Sequence, residues 1–139
     1  MNHYLKNIFS LKNKTALITG ASKGIGAGIA LAYIKAGANV VCISRTTPTI
    51  KKQANFSYYK CDISNSKQFQ SVCESINFHH DGIDILVNAA GISLPVDDKY
   101  TEIERFSKTL SVNLLATYQC CETASKFMCK NSSIINITS

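Results

Sequence analysis

Apolar and polar positions along the 139 residues follow two rhythms. Short, nearly continuous apolar runs stand at residues 15–19, 39–44, 56–61, 83–88 and 133–138. Runs of that length with no polar side predict strands covered on both faces, as in a parallel sheet. Between them, apolar residues recur at steps of three and four. Ile25, Ile29, Ala32, Tyr33 and Ala36 predict a helix that Gly37 closes, and Phe69, Val72 and Ile76 share one face of a helix over 64–78. Ile103, Phe106, Leu110, Leu114, Cys121 and Met128 lie near one stripe, which predicts a single long helix over 101–128. The polar stretch 46–55 is too short for a helix with its loops, and His79-His80 before the turn signal Asp81-Gly82 predicts a solvated loop. Strand–helix alternation with no linker or internal repeat predicts one α/β domain over 1–139, a parallel sheet with helices on both faces.

Composition leaves this picture standing and removes several functions. The hydrophobic share is 45%, with seven glycines and two prolines, which excludes disorder and low-complexity scaffolding. No apolar run approaches the roughly 18 residues of a membrane span, and the opening residues have no continuous apolar segment of the secretory kind. The expectation is a soluble, cytoplasmic protein, in which the sequons at Asn13, Asn55, Asn131 and Asn136 are chance matches. The formal charge of +6 comes from scattered lysines whose longest run is Lys51-Lys52, a pattern that favours solubility over nucleic-acid binding. Six cysteines show no C-x-x-C spacing and the histidines at 3, 79 and 80 complete no ligand set, so neither a metal site nor a disulfide framework is expected. Cys42 and Cys61, inside strand-like runs, read as small hydrophobes.

The first strand runs into Thr19-Gly20-Ala21-Ser22-Lys23-Gly24-Ile25-Gly26 and then a helix. Glycine is needed here for a tight turn at Gly20, for close approach of backbone to a ligand at Gly24, and for helix-on-strand packing at Gly26. The free N–H groups and positive dipole of the helix start suit a pyrophosphate. The spacing differs from a Walker loop, and no Gly-Lys-Ser/Thr follows. At the end of the second strand, an acid would take the ribose 2′-hydroxyl of NAD, whereas a basic residue would accommodate the 2′-phosphate of NADP. This chain has Ser44-Arg45 there, and Lys23 adds a second cation, so NADP(H) is favoured over NAD(H). Asn113 inside an apolar helix is costly unless its amide is satisfied, and Ser139 follows the fifth strand at the edge where ligands bind in open α/β sheets.

Together these residues resemble the short-chain dehydrogenase/reductase family. Thr19 to Gly26 matches its glycine motif, Asn88-Ala89-Ala90-Gly91 its element after the fourth strand, and Asp62-Ile63 the pair beside the adenine ring. Asn113 in Ser-Val-Asn-Leu-Leu matches the helix asparagine of the proton relay, and Ser139 the catalytic serine. The resemblance implies a Rossmann-type doubly wound parallel sheet, of which these residues supply the first five strands in the order 3-2-1-4-5. It implies hydride transfer between a nicotinamide and a small carbonyl or alcohol, and a homodimeric or homotetrameric parent with neither nucleic acid nor membrane as partner. The residues are similar both to 3-oxoacyl-acyl carrier protein reductases and, at the opening Ile8-Phe9-Ser10-Leu11, to gluconate 5-dehydrogenases, so the substrate stays open.

One family feature is missing. The tyrosine general acid is followed four residues on by lysine, but Tyr4, Tyr33, Tyr58, Tyr59, Tyr100 and Tyr118 are followed at that distance by Ile8, Gly37, Asp62, Ile63, Glu104 and Glu122. The resemblance therefore covers the first half of a family member, ending before the catalytic Tyr-x-x-x-Lys segment. Two readings remain. The chain is the N-terminal fragment of a reductase, inactive alone, or a non-catalytic truncated nucleotide-binding product. In either case Ile134, Ile135 and Ile137 are expected at an exposed apolar edge that makes the chain unstable or prone to aggregate.

Overall fold

The structure, a computed structural model, describes residues 7–97 and 99–138. Five parallel strands, β1 (Thr15–Thr19), β2 (Asn39–Ser44), β3 (Phe56–Lys60), β4 (Ile83–Asn88) and β5 (Met128–Asn136), form one sheet in the order β3-β2-β1-β4-β5. The helices are α1 (Gly24–Lys35), α2 (Ser66–His80), α3 (Glu102–Leu110) and α4 (Thr117–Ser125), with a π-helical segment, Ser111–Ala116, joining the last two. This is the doubly wound Rossmann-type sheet expected from the sequence, with β1 at its centre between β2 and β4.

The apolar strands are explained by what lies on each face. On one face Leu17, Val41, Ile43 and Leu86 pack against Phe69, Val72 and Ile76 of α2 and Ala124 of α4. On the other, Ile18, Val40, Cys42 and Val87 meet Ala30 and Ile34 of α1. Ala16, Leu17 and Ile18 are wholly buried. At the amino end of the sheet Asp84 staples β4 to the start of β1. Its carboxylate accepts from the backbone N–H of buried Thr15 at 2.9 Å and pairs with Lys14 at 2.8 Å, which raises the Lys14 pKa.

Several boundaries differ from expectation. β3 ends at Lys60, leaving Cys61 just beyond the strand. His79 and His80 form the last turn of α2 rather than a loop. The His79 Nδ1 lies 2.8 Å from the Ser75 carbonyl, and the helix closes only at Asp81, which takes a left-handed φ of 57°. The predicted helix over 101–128 is broken by the π segment and ends at Ser125, because Met128 already pairs with Ile83 as the first residue of β5. Only the far end of its apolar stripe meets the core, through half-buried Cys121 and Met128. Ile103, Phe106, Leu110 and Leu114 are exposed. Ile134, Ile135 and Ile137 are exposed too, at 41%, 38% and 39%, so the apolar edge predicted at the outer strand is present.

Candidate functional site

A cleft of about 380 Å³ opens at the carboxyl ends of β1, β2 and β4, where the chain's strand order reverses. Ligands of open α/β sheets bind at this switch point. Gly20, Ser22, Lys23, Gly24, Arg45, Asp62, Ile63, Ala89, Ala90 and Gly91 all line it, which brings together residues predicted from four separate segments. Sequence reasoning missed Ile43, Ser44, Thr46, Cys61, Ile92 and Val112, which line it as well. The strand ends could have pointed to Ile43, Ser44 and Cys61, since each sits at or beside the carboxyl end of β2 or β3. Ile25, Gly26, Asn88 and Asn113 do not line it, although Gly26 and Asn113 pack against residues that do.

The glycine turn is built by contact. Gly20 has a left-handed φ of 66°, and a Cβ there would lie 2.5 Å from the Ala90 Cα. The Thr19 hydroxyl locks the same approach by accepting from the Ala89 and Ala90 N–H groups, both at 3.1 Å. A Cβ on Gly26 would fall 2.5 Å from the Gly20 carbonyl oxygen, so glycine there lets α1 seat against the turn. Gly24 differs from both. Its φ is also left-handed, at 60°, yet a Cβ would meet nothing within 4 Å. α1 begins at this residue with no side-chain cap from Lys23 and no acid in its first turn, while Ile25 stands exposed beside it.

The opposite wall depends on Asn113. Its Oδ1 accepts from the Ile92 N–H at 2.8 Å and its Nδ2 donates to the Ile92 carbonyl at 2.9 Å, so one amide satisfies both polar groups of that residue. A Cβ on Gly91 would approach the Asn113 Oδ1 to 3.3 Å. The π segment that carries Asn113 thus pins the loop leaving β4, in keeping with the frequent placement of π-bulges at functional sites. Asn88 lies below the cleft, tying β4 to β5 through its Nδ2, which donates to the Asn136 Oδ1 at 2.8 Å. The Asn88 Oδ1 is buried and has no partner among the described residues. Ser139, expected as the catalytic serine after the fifth strand, falls outside the described residues.

Charge in the cleft is asymmetric. Lys23 and Arg45 stand on the glycine-turn and β2 sides, and Asp62 is the one carboxylate among the lining residues. The Asp62 Oδ1 accepts from the Ser64 N–H at 2.9 Å, so it serves its own turn. Cys61 is buried at the cleft floor, and burial pushes its thiol up to about 11, so it stays protonated and unreactive near neutral pH.

A parallel sheet whose central strand feeds a glycine turn into a switch-point cleft defines a nucleotide-binding protein of the doubly wound α/β class. Comparison with known proteins narrows the class. The model of the short chain dehydrogenase family matches residues 14–139, and the chain belongs to that family. It is 32% identical over 142 residues to the Dehydrogenase/reductase SDR family member 11 of Bos taurus, covering 92% of this chain and 56% of that protein. Thermoplasma acidophilum aldohexose dehydrogenase, in ligand-free form, superposes with a TM-score of 0.82 at 30% identity, covering 93% of this chain and 50% of that one. A short chain dehydrogenase from Leptospira borgpetersenii with bound NAD+ gives a TM-score of 0.77 at 27% identity over 91% of this chain and 49% of that one. The chain thus spans about half the length of the relatives it matches. The residues present fit a dinucleotide. Open space faces Gly24, the start of α1 is free of caps and acids, and two cations, Lys23 and Arg45, line the cleft.

Proposed function

We propose that the residues of this chain form the cofactor-binding half of an NADP(H)-dependent oxidoreductase acting on a small carbonyl or alcohol. One observation supports this reading most. Arg45 follows β2 directly with Lys23 across the cleft, and no acidic side chain stands at the end of β2. A carboxylate there would select a ribose 2′-hydroxyl, whereas a guanidinium fork suits a 2′-phosphate. NADP(H), when bound, supplies the hydride. The chain's own residues bind and orient. The N–H groups at the start of α1 take the pyrophosphate, Arg45 and Lys23 the 2′-phosphate, and Asp62 and Ile63 flank the adenine. Ala89, Ala90 and Gly91 form the flat wall supported from below by Asn88, Asn113 holds that wall and serves the proton relay, and Ser139 hydrogen-bonds the substrate oxygen. None of the six tyrosines has a lysine four residues on, so the proton donor of the family lies outside these 139 residues. The chain by itself binds cofactor without turning it over.

Six unpaired cysteines suit a reducing compartment, and we place the protein in the cytoplasm. Among the described residues no helix is long and apolar enough to cross a membrane. The exposed stripe on α3 and the π segment is covered by a second copy in a homodimer or homotetramer. The cofactor reading is tested by titrating the chain with NADPH and NADH. At least tenfold tighter binding of NADPH, abolished in Arg45→Ala, supports it, while equal affinities or a preference for NADH overturn it. The same absence of a Tyr-x-x-x-Lys pair also favours a second reading, a nucleotide-binding product with no catalytic role. NADPH-dependent reduction of a carbonyl by the 139-residue chain alone would refute both that reading and the missing proton donor.

A further inference from the structure

We propose that Ser44 is the positioning residue that holds Arg45 ready for a 2′-phosphate, so that the choice between phosphorylated and unphosphorylated dinucleotides rests on a buried hydroxyl as well as on the guanidinium. This inference rests on the cofactor reading above and goes one step further, to a residue that carries no charge.

Ser44 ends β2 and is buried, while Arg45 and Thr46 beside it are exposed. Its backbone carbonyl accepts twice from the β3 side, from the Cys61 N–H at 3.0 Å and from the Tyr58 hydroxyl at 3.2 Å. Its own hydroxyl donates forward to the Thr46 carbonyl at 2.6 Å. One residue earlier, the Ile43 carbonyl accepts from the Gly20 N–H at 2.9 Å, tying the same strand end to the glycine turn. The peptide before Arg45 is therefore anchored to the β3 side, the peptide one step earlier to the glycine turn, and the Thr46 carbonyl, just past Arg45, to the Ser44 hydroxyl. Arg45 sits at the apex of this closed loop and lines the cleft.

A long exposed side chain ordinarily loses much rotamer freedom when it grips a ligand. Fixing the backbone on both sides removes the part of that cost that comes from the loop, and the saving is felt only by a ligand that Arg45 touches. Adenosine carrying a 2′-phosphate should therefore sense the loss of the Ser44 hydroxyl, and adenosine without it should not. A residue that merely stabilised the fold would affect both alike.

Adenosine 2′,5′-bisphosphate and adenosine 5′-monophosphate serve as probes, titrated by calorimetry into the chain and its variants. Arg45→Ala is expected to lower affinity for the bisphosphate at least tenfold and leave the monophosphate unchanged. Ser44→Val, which keeps the branched shape of threonine without the hydroxyl, should lower affinity for the bisphosphate about fivefold, the effect of one net hydrogen bond. It should leave the monophosphate within about twofold of the native chain. Ser44→Thr restores the donor and should restore the preference. If Ser44→Val does not fold, Ser44→Ala replaces it, because the smaller side chain fits the same space. An unchanged preference in the Ser44 variants while Arg45→Ala abolishes it overturns the role of Ser44 alone. Equal weakening of both ligands in those variants assigns Ser44 a structural role and overturns it too. If Arg45→Ala itself leaves the preference intact, the cofactor reading fails first.

Discussion

The centre of the sheet and its β5 side are made from similar residues and finished to different degrees. Around β1, apolar side chains on both faces are closed off from water, and the loops above are held by contacts so tight that glycine is the only residue that fits. On the other side, α3 and the π segment turn Ile103, Phe106, Leu110 and Leu114 outward, and β5 leaves three isoleucines exposed. Apolar periodicity is as strong in the second region as in the first. Periodicity therefore tells which positions need covering, and the chain itself decides only which of them it covers. An exposed apolar area of this kind is what the second copy proposed above would cover.

The comparison is broken most sharply at the two left-handed glycines of the turn. Gly20→Ala drives a Cβ into the Ala90 backbone at 2.5 Å, with strain and overpacking that should cost about 2–4 kcal/mol in a urea melt. Gly24→Ala meets nothing, so its expected stability cost is about 1–2 kcal/mol from the left-handed φ alone, with NADPH binding lost because the methyl occupies cofactor space. Equal melts for the two variants would mean that the turn is not held by the Ala89–Ala90 contact.

Next in size is the amino end of β1. Asp84→Ala leaves the buried Thr15 N–H without its acceptor and should cost about 1–3 kcal/mol, also read by urea. The buried thiols set an alkaline limit. Burial pushes Cys42 and Cys73 up from an ordinary 9.0 to about 12 and Cys61 to about 11. Because the folded values lie above the unfolded ones, their contribution is complete below pH 9 and drains away as pH rises from there toward 11 or 12. Each thiol should lose about 1.4 kcal/mol per pH unit in that window, and Cys42→Ala should flatten the dependence of the urea midpoint on pH. The smallest stability effect belongs to the exposed stripe. Phe106→Lys and Leu114→Lys should change the melt by no more than about 0.5 kcal/mol while shifting sedimentation toward the monomer. If either unfolds the chain, the two regions do not differ in the way described.

Much of this architecture is legible in the sequence, and the exceptions have physical causes. β1, β2 and β4 fall on their predicted bounds because each is a nearly continuous apolar run covered on both faces. The helix predicted over 101–128 overruns the start of β5 because the pairing of Met128 with Ile83 is long-range, and nothing in the local spacing of 126–132 announces it. The π segment is equally invisible to a helical pattern, although Asn113 inside it could be singled out as a polar group that needed partners. In the cleft, glycines and charges were legible because their chemistry is distinctive. Ile92 and Val112 were not, since ordinary apolar residues become wall only once Asn113 has fixed the loop.

The Thr19 hydroxyl also orders events in time. It joins the end of β1 to amides 70 and 71 positions further along the chain. β1, α1, β2 and β3 can pair as they leave the ribosome, since each parallel partner in that set arrives within a few dozen residues. The glycine turn cannot take its final shape until β4 has crossed back over that whole unit and delivered Ala89 and Ala90. The shape of the cleft therefore depends on a contact spanning 70 residues and not only on the local preferences of the glycines that define it.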